Sequence, residues 1–69
     1  MTAGRIKWYN EKKGYGFITT DQNEDIFLHR SGITEFGHFG FQEDDPVTFD
    51  IKETHQGRQA CNVKPVKSY

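Results

Sequence analysis

The stretch KKGYGFITT, residues 12–20, decides how this chain folds. Aromatic residues at 15 and 17 followed by Ile18, Thr19 and Thr20 form a run suited to a pleated strand. Lys13-Gly14 ahead of it is a turn signal, and Arg5–Asn10 before the turn is a second short run of the same kind, so the pair reads as a hairpin. Alternation along the strand separates Ile18 from Tyr15, Phe17 and Thr19. Two rings are therefore aimed away from the aliphatic side, in a setting that is locally polar and basic. A chain of 69 residues hides only about 60% of its unfolded surface. Rings spent outside its core need a reason.

Working outward, the rest of the chain supplies three further strands and no helix of length. Asp25–His29 follows the polar cluster Asp21–Glu24. Pro46 opens Val47–Ile51, whose alternation is nearly strict, and Pro is tolerated at a strand's first residue. A turn at Gln56-Gly57 leads into Gln59–Val66. Residues 31–45 contain Gly32, Gly37 and Gly40 and read as one long loop with a helical turn near Ser31–Ile33. No repeat, low-complexity tract or linker interrupts the sequence, and no twelve-residue window keeps a helical apolar pattern. Residues 1–69 thus form a single all-β domain, a small five-stranded antiparallel barrel. Its expected core is Ile6, Ile18, Ile26, Leu28, Val47, Phe49, Ile51 and Val63, with Phe41 closing one end of the barrel and Tyr9 as half-buried support. The opposite parity of the second and third strands carries Tyr15, Phe17, Thr19, Asp25, Phe27 and His29. No element is left over to cover that face, so its rings call for a ligand.

Composition narrows the ligand. The net charge of −1 divides unevenly: residues 1–20 carry +3, residues 21–53 carry −7 and residues 54–69 carry +3. A cationic rim of Lys7, Lys13 and Arg58 is thereby hidden in a neutral total. Single-stranded nucleic acid offers flat bases to stack on aromatic rings and phosphates to meet lysine and arginine, largely without regard to base identity. Duplex bases are already stacked, and a flat sheet face cannot enter a groove as a helix does. The competing reading, a barrel that grips an extended proline-rich peptide through the same rings, calls for acidic flanks. The neighbours here are mainly basic. His29, His38 and His55 lack metal-ligand spacing and Cys61 is the lone cysteine, so neither a zinc site nor an internal disulfide is expected. Gly14-Tyr-Gly16 is not a dinucleotide fingerprint, because Thr19 stands where its third glycine belongs. Ser31 near His29 completes no triad. The sequence therefore points to neither an enzyme nor a cofactor. A monomer is expected, and with no leader or apolar span in the sequence, a cytoplasmic setting.

At this point the motifs acquire a family. GRIKWYNEKKGYGFI followed by DIFLHRSGI resembles the bacterial cold-shock proteins over residues 4–66. Lys13–Ile18 is similar to the family's first ribonucleoprotein motif and Ile26–His29 to its second, with Lys7–Asn10, Gly57 and Gln59-Ala60 in support. The resemblance implies a barrel of oligonucleotide-binding (OB) type that binds single-stranded RNA and DNA, with members that act as RNA chaperones or antiterminators. It assigns base stacking to Trp8, Phe17, Phe27 and His29, with Tyr15 beside them, and polar contacts to Lys7, Lys13 and Asp25. The early position of the glycine-aromatic motif, with no helix before it, separates this barrel from the larger RNA-recognition motif.

Three positions depart from the family pattern. Arg30 and His38 stand where aromatics are usual, and Gln56 replaces a common arginine while Arg58 lies just beyond. Arg30 is read as a substitution within the function, since a guanidinium can stack on a base and meet a phosphate. One conflict stays open at this level. Strict alternation puts Trp8 inside with Ile6, whereas the resemblance puts it outside with Lys7, and a bulge in the first strand would reconcile the two. Asp25 is unusual on an anion-binding face: it either accepts a hydrogen bond from a base edge or orients Lys7.

Overall fold

A computed structural model describes residues 2–34 and 40–66. Five strands, β1 (Thr2–Asn10), β2 (Tyr15–Thr20), β3 (Asp25–His29), β4 (Pro46–Thr54) and β5 (Gly57–Pro65), close into a barrel in the order β1-β2-β3-β5-β4. A 3-10 turn, η1 (Arg30–Gly32), follows β3. The family expectation of an OB-type barrel holds. Four seams are antiparallel, but β3 and β5 run parallel, with Phe27 opposite Gln59. Geometry leaves no alternative. Strand directions cannot alternate all the way round a closed ring with an odd number of members, so at least one seam must be parallel. Because β4 lies between β1 and β5, the chain must leave β3 and cross the barrel to start it.

Among the described residues nine form the core, Ile6, Ile18, Ile26, Leu28, Phe41, Val47, Phe49, Ala60 and Val63, each at most 6% exposed. Alternation identifies seven of them, and Phe41 closes the core edge-on to Tyr9, with ring centroids 6.0 Å apart. Ile51 differs from expectation: it is half-buried, packed against the core at the mouth of a recess that it lines with Thr2 and Ala3. The strands are longer than their apolar patterns. Thr2–Gly4 has little hydrophobic signal but pairs with β4 from Val47 to Phe49, and Lys52–Thr54 is polar but pairs with Gly57–Gln59 across a two-residue turn. Pairing, not side-chain burial, extends both.

Turn chemistry fixes the hairpins. Gly14 adopts φ +76°, a conformation that glycine reaches without steric cost, and its N–H donates to the Asn10 carbonyl at 2.8 Å. Asn10 also accepts from the Lys13 N–H through its side chain. Between β2 and β3, the Thr20 hydroxyl accepts from the Gln22 and Glu24 N–H groups, and Asn23 takes the left-handed position at φ 63°. In β5, Asn62 sits at φ 53° where the pairing with β4 slips by one residue, and it donates to Asp50 at 3.0 Å. That bond holds the Asp50 carboxyl below its ordinary pKa.

Candidate nucleic-acid interface

The bulge needed for Trp8 is present. Ile6 pairs with Ile18, but Trp8 pairs with Phe17, so Lys7 is an extra residue on β1. Alternation restarts after it: Trp8 turns outward beside Phe17 and is 37% exposed, while Tyr9 turns toward the core. Simple alternation therefore misplaces Trp8, for a local reason. Gly16 makes the bulge possible, because a Cβ at that position would run into the Trp8 carbonyl oxygen. The two glycines of the opening motif thus have different jobs. Gly14 turns the chain and Gly16 lets β1 come close.

The outward residues of β2 and β3 fall in cross-strand register, Tyr15 opposite His29, Phe17 opposite Phe27 and Thr19 opposite Asp25. Trp8 meets Tyr15 and Phe17 with centroids 5.6 and 5.5 Å apart. Phe17 stands edge-on to Phe27 at 5.7 Å, and Phe27 lies 6.2 Å from Tyr15 and 6.5 Å from His29. Five rings form one contiguous sheet face. Each supports its neighbour in tilted or edge-to-face geometry, which holds the rings in place, with Trp8 and His29 exposed and Tyr15, Phe17 and Phe27 half-buried. His29 also caps η1: its Nδ1 accepts the Ser31 N–H at 3.1 Å. In the neutral ring the proton then sits on Nε2.

Polar groups border the rings unevenly. Lys7 donates to Asp25 at 2.7 Å, and the Thr19 hydroxyl donates to the same carboxylate. The Lys7 hydrogen bond, with the charge behind it, holds the Asp25 carboxyl below its ordinary pKa. Of the two roles open to Asp25, orienting Lys7 is the one visible. Arg58 pairs with Glu24. Lys13 lies on the β1–β2 turn just ahead of Tyr15. Arg30 opens η1, directly after β3. It lies against Gly14, and its guanidinium donates to the Glu11 carbonyl at 3.1 Å, so it ties η1 to the β1–β2 turn. His38, together with Phe36 and Phe39, lies outside the described residues.

An open recess of about 350 Å³ runs from Phe17 and Phe27 to the β4–β5 turn, lined also by Asp25, Thr54, Gln56, Arg58 and Gln59. Thr54, which the sequence did not single out, and Gln59, noted there only as part of the motif, both line this recess. Only the parallel β3–β5 seam brings Gln59 beside Phe27, and nothing local in the sequence announces a parallel partner. Among the described residues, no group of three or more His, Cys, Asp or Glu side chains is placed to hold a metal ion, and no helix is long and apolar enough to cross a membrane.

A closed five-stranded barrel that leaves five rings and a rim of cations on one face belongs to the class of small nucleic-acid-binding barrels. The comparisons with known proteins agree. The 'Cold-shock' DNA-binding domain family matches residues 2–66, and the chain belongs to that nucleic-acid-binding, non-enzymatic family. The cold shock-like protein CspB of Bacillus cereus is 45% identical over 87% of this chain and 92% of its own length. A cold shock-like protein of Thermotoga maritima is 45% identical over 93% of this chain and 97% of its own. Cold shock protein 1 of Lactiplantibacillus plantarum is 45% identical over 94% and 98%.

Proposed function

We propose that this protein binds single-stranded RNA and DNA through the Trp8–Tyr15–Phe17–Phe27–His29 face, and that it acts as an RNA chaperone or transcription antiterminator in the cytoplasm. The observation that carries the reading is the continuity of the ring cluster, which matches a row of unstacked bases. Lys7, Lys13, Arg30 and Arg58 supply the positive charge for phosphate, Lys7, Arg30 and Arg58 by exchanging their present partners Asp25, the Glu11 carbonyl and Glu24 for it. Asp25, Thr54 and Gln59 offer hydrogen bonds to base edges. A monomer holding a few bases withdraws the single strand from its competing hairpin by mass action, with no nucleotide hydrolysis. Weak contacts at each base allow rapid exchange.

Titration with an oligothymidine tests this directly. Trp8 fluorescence should be quenched as bases stack on it. Phe17→Ala and Phe27→Ala should each weaken binding by about 1–3 kcal/mol while leaving the barrel folded. The affinity should fall with salt at a log–log slope of about −0.7 per phosphate met. Unchanged fluorescence at saturating oligonucleotide, or undiminished binding by Phe27→Ala, would overturn the proposal.

A further inference from the structure

Arg58 lies between two recesses. One is the recess of Phe17 and Phe27 on the ring face. The other, of about 310 Å³, lies behind it and is lined by Thr2, Asp21, Gln22, Ile51 and Glu24. Glu24 lines only the second, and its Oε2 sits 2.5 Å from the Arg58 Nη1. Arg58 lines both recesses, and the ion pair engages its guanidinium with an acid that lines the second. Glu53 stands opposite Arg58 in the β4–β5 register and adds a second acid nearby. On the other side of β3, Asp25 engages Lys7 in the same manner. Adjacent acids at the start of β3 thus occupy the cations on both flanks, whereas Lys12 and Lys13 on the β1–β2 turn form no ion pair among the described residues.

We infer that Glu24 is an affinity-determining residue, which competes with nucleic-acid phosphate for Arg58 and so lowers the electrostatic share of binding. The inference rests on the proposed function and adds a residue outside the ring face to it. The pair is half-exposed on both sides, with side chains 48% and 49% accessible. Such pairs are weak enough for a phosphate to displace. Each displacement nonetheless returns a carboxylate to water beside an incoming anion, which opposes binding. Stacking is left to supply most of the affinity, and phosphates are drawn toward the Lys12–Lys13 end.

The test compares wild type, Glu24→Gln, Arg58→Gln and the double variant in titrations with an oligothymidine from low to moderate salt. Glu24 holds its turn through main-chain bonds with Thr20, so the substitution leaves the β2–β3 connection intact. Glu24→Gln should bind about two- to fivefold more tightly at low salt, with a salt slope steeper by up to about 0.7 and a gain that shrinks as salt rises. In the Arg58→Gln background the same substitution should change nothing. An equal gain with and without Arg58 would reduce Glu24 to general repulsion and overturn the inference, as would no gain at all. A wild-type protein that fails to bind at any salt would instead overturn the proposed function.

Discussion

Asp25 carries a role that its residue type alone would not suggest. A carboxylate on a face meant for phosphate looks like an obstacle, yet it takes hydrogen bonds from Lys7 and Thr19 and fixes an ammonium at the edge of the rings. Because those donors favour the charged form, folding depresses its pKa. The resulting contribution to stability is complete above the ordinary aspartate value of 3.8 and is lost as pH falls below it. The urea midpoints of wild type and Asp25→Asn should therefore draw closer between neutral pH and about pH 3. A gap that keeps its size would show that the Lys7 pair contributes nothing. Arg30 teaches the complementary lesson. Its chemistry suits stacking on a base, but in the free protein its guanidinium is engaged by a main-chain carbonyl of the neighbouring turn. Residue type sets what a side chain can do, and its neighbours select among the possibilities.

At the scale of elements, the outcome turns on β1. Ile6 and Tyr9 face inward and Trp8 outward only because Lys7 is inserted between two registers. Without the bulge, Trp8 would enter a barrel already filled by Ile6, Ile18 and Phe49, and the ring face would lose its first member. Gly16→Ala tests this dependence. A methyl group there collides with the Trp8 carbonyl, so the hairpin must open or flatten. The expected cost is about 2–3 kcal/mol in chemical denaturation, with Trp8 fluorescence altered even in the folded protein. An alanine variant as stable as wild type, with unchanged emission, would mean that the bulge does not need the glycine. The β5 slip at Asn62 is a second irregularity of the same kind, using a residue that tolerates the left-handed region and bonds across to Asp50.

For the molecule as a whole, core and interface are the two surfaces of the same strands, so substitutions should sort by parity. Phe49 and Phe27 are both aromatic strand residues. Phe49 is 1% exposed and fills the barrel, and its replacement by alanine should cost about 3–5 kcal/mol, a large part of the stability of so small a domain. Phe27→Ala should leave the thermal transition nearly in place while binding falls. Circular dichroism melts of the two variants, set beside their oligonucleotide titrations, separate the cases. Equal losses of stability would mean that the ring face is a structural layer after all.

Period-two alternation was sufficient to separate Ile18, Ile26 and Leu28 from Tyr15, Phe17, Phe27 and His29, because each of those strands keeps one uninterrupted register. The motif spacing added the family, and through it the fold and the kind of partner. Where strands met through non-local contacts, the sequence was silent. The inward or outward choice at Trp8 depends on a close approach between β1 and Gly16, the place of Gln59 beside Phe27 on the parallel closure of an odd-membered ring, and the Arg58–Glu24 pair on the spatial meeting of residues 34 positions apart. Local pattern records which side of a strand prefers water. Only ring closure decides which strands become neighbours, and with them which charges meet.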